Sequence, residues 1–115
     1  MSARRLDGML WWIDRWRTSS AFTHLTLEEQ GAYRNLIEAA WLREGVLPDD
    51  DRILANACGD ATAWPRLKVR VLAYFERTPE GWRNTTADEI RGKLRALRGH
   101  RRAAGLQGAA GRWGR

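Results

Sequence analysis

Apolar residues recur at helical spacing from Tyr33 through Leu36, Ile37 and Ala40 to Trp41, and Thr26 with Glu29 three residues on supplies a capping-box start. This predicts a long helix that buries that stripe and ends at Gly45. Val46-Leu47-Pro48 then reads as extended, and Asp49, Asp50 and Asp51 offer a cap and favourable dipole charge to a short helix over Ile53–Cys58. Gly59 breaks it. A further helix starts at Asp60 or Thr62, with Trp64, Leu67, Val71, Tyr74 and Phe75 on one side and Arg66 and Arg70 on the other.

Periodicity changes after Phe75. Thr78-Pro79-Glu80-Gly81 has Pro at the second and Gly at the fourth position of a type I turn. The aromatic and β-branched flanks Tyr74–Arg77 and Trp82–Thr85 make it a hairpin. Thr86 with Glu89 repeats the capping-box spacing and opens a last helix, with Ile90, Leu94 and Leu97 facing inward. The order helix, short helix, helix, hairpin is that of a winged helix, with Val46-Leu47 available as a third strand. The fold class expected is therefore mostly α with a small β-hairpin wing, in a single domain over residues 1–102. Gly105, Gly108, Gly111 and Gly114 recur every third residue beyond it, so 103–115 reads as a flexible basic arm.

Composition fits one packed domain. The chain has 115 residues, with 7 Trp, 2 Tyr and 2 Phe, enough aromatic surface for a real interior. Trp11, Trp12 and Trp16 suit a strand or one turn of helix. Packing across the domain is the simpler role for them, with base stacking as the alternative. A lone Cys58 excludes an internal disulfide framework and fits a reducing cytoplasm. No apolar run approaches a membrane span, and Asp7 and Asp14 interrupt what would be a signal peptide.

Charge is distributed unevenly. Residues 91–115 carry eight Arg or Lys and no acid, more than the whole formal excess of +6, whereas residues 26–64 are acidic. A basic arm on a partly acidic body points to a polyanion, most often nucleic acid, because each neutralised phosphate releases condensed counterions. The candidate phosphate-binding residues are Arg66, Lys68 and Arg70 on the third helix, Arg77 and Arg83 on the wing, and Arg91, Arg95, Arg98 and Arg102 along the last helix.

Catalytic readings find little chemistry to use. Cys58 has only the distant His24 and His100 as partners for a thiol nucleophile or metal site. Asp49 to Asp51 with Glu44 could hold Mg²⁺, but a helix cap explains them more simply. No glycine-rich phosphate loop follows a strand. No cofactor and no enzymatic activity are expected.

The runs Trp11-Trp12-Ile13-Asp14-Arg15-Trp16, Leu25-Thr26-Leu27-Glu28-Glu29-Gln30-Gly31-Ala32-Tyr33-Arg34 and Leu47-Pro48-Asp49-Asp50-Asp51, with Trp64, Tyr74-Phe75 and Gly81-Trp82-Arg83, resemble the YdaU-type prophage family over residues 9 to 90. The resemblance implies a winged-helix-like domain of unknown function in phage DNA metabolism and supplies no catalytic residues. The expectation is a non-enzymatic DNA-binding protein in phage or prophage replication or regulation. Arg66 and Arg70 would approach the major groove, Arg77 and Arg83 the adjacent backbone, and the last helix further phosphates. The rival is an adaptor whose acidic first helix, with Glu28, Glu29, Glu38 and Glu44, docks a replication protein.

Overall fold

The structure is a computed structural model that describes residues 8–113, with side chains described through Gly99. Two short helices come first, α1 (Ile13–Arg17) and α2 (Ser20–His24), the second capped by Ser19, whose hydroxyl accepts from Phe22 N at 3.2 Å. α3 (Leu27–Leu42) carries the anticipated capping box. Thr26 N donates to Glu29 Oε1 at 2.8 Å and Glu29 N to Thr26 Oγ1 at 3.2 Å, so two orphan donors of the first turn are satisfied reciprocally. The helix closes through Glu44 and Gly45, both at positive φ, with Gly45 N bonded to Ala40 O at 2.7 Å.

α4 (Asp51–Cys58) is capped by Asp50, which accepts from Arg52 N and Ile53 N. Gly59 ends it in the left-handed region at φ 102°, and Asn35 of α3 donates to Cys58 O at 2.8 Å beside that turn. Asp60 caps a turn rather than the next helix, accepting from Thr62 N and Ala63 N, and α5 (Trp64–Leu72) begins later than either expected start. Trp64 is 1% exposed, and its indole donates to Asp51 Oδ1 at 2.9 Å, tying α5 to the first turn of α4.

The hairpin pairs β1 (Glu76–Thr78) with β2 (Gly81–Arg83), antiparallel, with Thr78 opposite Gly81. Both strands are shorter than predicted, because Tyr74 and Phe75 still belong to the turn leaving α5 and Asn84 already caps the next helix. Leu47 joins as a one-residue bridge, trading backbone bonds with Trp82 at 2.9 and 2.7 Å. That bridge requires the glycine at 81. A Cβ there would lie 2.1 Å from Leu47 O, and φ is 137°.

α6 spans Thr85–Trp113. Its cap is Asn84 and not the predicted Thr86. Asn84 Oδ1 accepts from Ala87 N at 2.9 Å, while its amide donates to Tyr33 Oη and Tyr74 O, so this 2%-exposed side chain is satisfied on both ends. Glu89, freed from any box, pairs with Arg15 of α1 at 2.6 Å. The helix continues to Trp113 through the glycine-rich segment read as an arm, whose side chains lie outside the described residues.

The core gathers between α3, α4, α5 and the hairpin, with Leu36, Leu47 and Val71 fully buried. Tyr33 is its aromatic hub, stacked on Trp16 (5.6 Å, 10°) and edge-on to Tyr74 and Phe75. A second cluster pairs Trp41 with Ile90 and adds Met9, Trp12 and Leu94, which docks the start of α6 on α3. Leu97, expected to face inward, is 44% exposed, because the helix has left the body by then. The molecule measures 65 × 31 × 22 Å with a radius of gyration of 17.7 Å, against about 13 Å for a compact chain of this length.

Candidate nucleic-acid interface

Most of the predicted phosphate-binding side chains already hold a carboxylate of the same protein. On α5, Arg66 makes a bidentate pair with Glu28 of α3, 2.7 Å on one arm. Arg70 reaches Glu29 Oε2 at 2.9 Å and donates to His24 O at 2.6 Å. Lys68 sits 3.2 Å from Asp51 of α4. The face read as projecting from the domain therefore closes onto α3 and α4. The complementary carboxylates respond. Hydrogen bonds from Arg66 hold Glu28 below its ordinary pKa, and Glu29 is lowered first by the Thr26 amide and then by Arg70.

The hairpin behaves the same way. Asp49 accepts from the Trp82 indole at 3.0 Å and lies 2.5 Å from Arg77 Nη2, and the Trp82 bond first, then the Arg77 bond, depress its pKa. Arg83 grips Asp88 of α6 at 3.0 Å. The three aspartates thus have separate employments. Asp49 serves the hairpin, Asp50 caps α4, and Asp51 receives Trp64 and Lys68. Among the described residues, no group of three or more His, Cys, Asp or Glu could hold a metal ion.

Along α6 the basic stripe divides. Arg91 turns inward at 8% exposure, donating to Trp41 O at 2.8 Å with its guanidinium 4.5 Å from the Trp41 ring centroid, and its buried Nη1 lies 3.7 Å from Asp88 without a hydrogen bond. Burial lowers its pKa. Arg95 bonds Glu44 at 2.6 Å. Arg98 is exposed, and the Arg102 side chain lies outside the described residues. The paired residues are not sealed off, since Arg66, Arg70 and Arg77 keep 63, 55 and 69% of their side-chain surface. Exposed pairs of this kind are screened by water and salt and add little to stability, so a phosphate can displace the carboxylate at small cost.

A second group of cations escaped the sequence reading. Arg15 Cζ and Lys93 Nζ both lie over Trp12, at 5.2 and 4.8 Å from the ring centroid, and Arg34 lies 4.7 Å over Trp11. The Trp12 and Arg15 spacing was visible on a one-turn helix, whereas Lys93 arrives only through the docking of α6.

Fold and surface together define a small helical domain with a β-hairpin and a strongly basic last helix. The chain belongs to the DUF1376 family, proteins of unknown function, whose model matches residues 10–90. The match stops one residue before Arg91, so the acid-free basic stretch lies wholly outside it. No curated protein and no solved structure matches the chain significantly. Among the described residues no helix is long and apolar enough to cross a membrane.

Proposed function

We propose that the protein is a non-enzymatic DNA-binding module whose affinity comes chiefly from α6, carried by a body of winged-helix type. The observation that carries this reading is the eight Arg or Lys without a single acid from residue 91 onward, seven of them within α6, a helix that extends away from the body. On α5 and the hairpin, by contrast, Arg66, Lys68, Arg70, Arg77 and Arg83 each have a carboxylate at contact distance. Polyanion attraction therefore concentrates on one element.

The winged-helix assignment is part of the proposal and rests on the sequence of α4, the Gly59 turn, α5, β1 and β2, with Leu47 as the third-strand contact. In it Arg66, Lys68, Arg70, Arg77 and Arg83 are secondary contacts, recruited when DNA phosphates replace their carboxylate partners. The phage or prophage replication setting rests on the sequence resemblance over residues 9 to 90 alone, carried by Trp11–Trp16, Leu25–Arg34, Leu47–Asp51, Trp64, Tyr74-Phe75 and Gly81–Arg83. The adaptor reading has narrower support. Of the four glutamates that would dock a partner, Glu28, Glu29 and Glu44 are engaged by Arg66, Arg70 and Arg95, leaving the exposed Glu38.

Fluorescence anisotropy on labelled duplex DNA tests this. If about five basic side chains meet phosphates, raising salt from about 50 to 200 mM weakens binding roughly 500-fold. Replacing Arg98 and Arg102 together by Ala reduces the steepness of the salt dependence by about 2 and weakens all sequences alike. Absence of binding to any DNA at about 50 mM salt and protein at tens of micromolar would sink the proposal and favour the adaptor.

A further inference from the structure

Where α1 meets α6, Trp11, Trp12 and Trp16 wall a shallow recess of about 70 Å³ that opens to solvent beside Tyr33 and Ile37. That volume is far below the roughly 300 Å³ at which small-molecule pockets begin. The recess is a surface feature, and its edges are what a ligand would meet. Trp11 and Trp12 are both partly exposed, and each carries a cation on its ring: Arg34 on Trp11, Arg15 and Lys93 on Trp12. Against these three cations the nearest ion pair supplies one carboxylate, Glu89, held by Arg15.

We infer that this aromatic and cationic patch is a stacking platform for single-stranded nucleic acid, with an unpaired base resting on Trp12 and the strand's phosphates running outward along α6. The inference rests on the nucleic-acid reading proposed above and names its substrate class. Three observations favour a single strand over a duplex and over a protein partner. Flat π-faces flanked by cations accept any base, because every base has a π-face and every nucleotide a phosphate. Lys93 belongs both to the platform and to the acid-free stretch of α6, so a strand seated on the ring meets a cation of that stretch as it leaves the platform. In a duplex the base faces are stacked on each other and do not reach an indole unless the base is extruded. Arg15 and Lys93 are long, exposed side chains and swing from the ring toward the phosphates as the base arrives.

Three labelled ligands separate the possibilities: a single-stranded oligothymidine of about 15 nucleotides, the duplex of that strand, and an abasic strand with the same sugar-phosphate chain. The wild-type protein binds oligothymidine at least about tenfold more tightly than the abasic strand. Trp12→Ala lowers oligothymidine affinity roughly 5- to 150-fold, leaves abasic and duplex binding unchanged, and Trp12→Phe restores much of the loss. Equal wild-type affinity for the oligothymidine and abasic strands overturns the platform while leaving the DNA-binding reading intact, and needs no variant to fold. Binding to none of the three overturns both.

Discussion

Trp41 shows what one side chain does here. It is 3% exposed, meets Ile90 of α6, and carries the Arg91 guanidinium on its face while its own carbonyl accepts a hydrogen bond from Arg91 Nη2. Trp41→Ala therefore removes both a core contact and the seat of α6. Urea denaturation is expected to show a loss of about 3–5 kcal/mol. A loss under about 1 kcal/mol would mean that α6 docks by other means. Glu29 makes a second case, governed by charge. Its carboxylate is buried at 6% exposure against the Thr26 amide and Arg70, and its pKa is lowered. A depressed folded pKa gives stability that is present above the unfolded value of about 4.3 and lost as pH falls through the folded one. Glu29→Gln should thus cost about 1 kcal/mol at pH 7, with wild type and variant converging below about pH 4 in thermal melts. A constant difference across that range would assign the effect to packing alone. The sequence made Thr26 and Glu29 legible because capping is local. It could not show Arg70 on Glu29, 41 residues away, nor that Arg91 would turn inward beneath Trp41, since those depend on how helices dock.

At the level of elements, boundaries set by short-range chemistry were readable and those set by docking were not. The cap at Asp50, the breaks at Gly45 and Gly59 and the hairpin turn follow from residue type. The start of α6 did not, because Thr86 with Glu89 mimics a capping box while Asn84, buried under Tyr33 and Tyr74, takes the cap. Within α6 support is uneven. Ile90 and Leu94 pack on the body, whereas Leu97 is exposed and Gly99, Gly105, Gly108 and Gly111 each cost about 1 kcal/mol of helix propensity relative to Ala. Amide hydrogen exchange in the free protein is therefore expected to be slow through Leu94 and fast from Gly99 onward, consistent with a basic arm that begins near residue 103. Replacing Gly105, Gly108 and Gly111 by Ala should raise helicity by circular dichroism. Uniform protection to Trp113 would show that the helix is held along its whole length.

For the whole molecule, the sequence showed that charge is segregated but not how it is spent. The body sets Glu28, Glu29, Asp49, Asp51 and Asp88 against its own arginines and lysine, while the far half of α6 has no acid within its own sequence to answer it. Helix docking made that partition, and it concentrates the proposed contact with DNA in one element. The same docking seals Cys58, the chain's only thiol, at 4% exposure where α4 ends against Asn35 of α3. A thiol reagent reaches that sulfur only when the α3 and α4 seam opens. Labelling of the native protein should accordingly be slowed, relative to the urea-unfolded chain, by the equilibrium constant for that opening, and equal rates would mean that the seam stands open at rest. Cys58 thus times the breathing of the fold without any added probe, and a shift in its labelling rate when DNA binds α6 would reveal whether that helix communicates with the far side of the body.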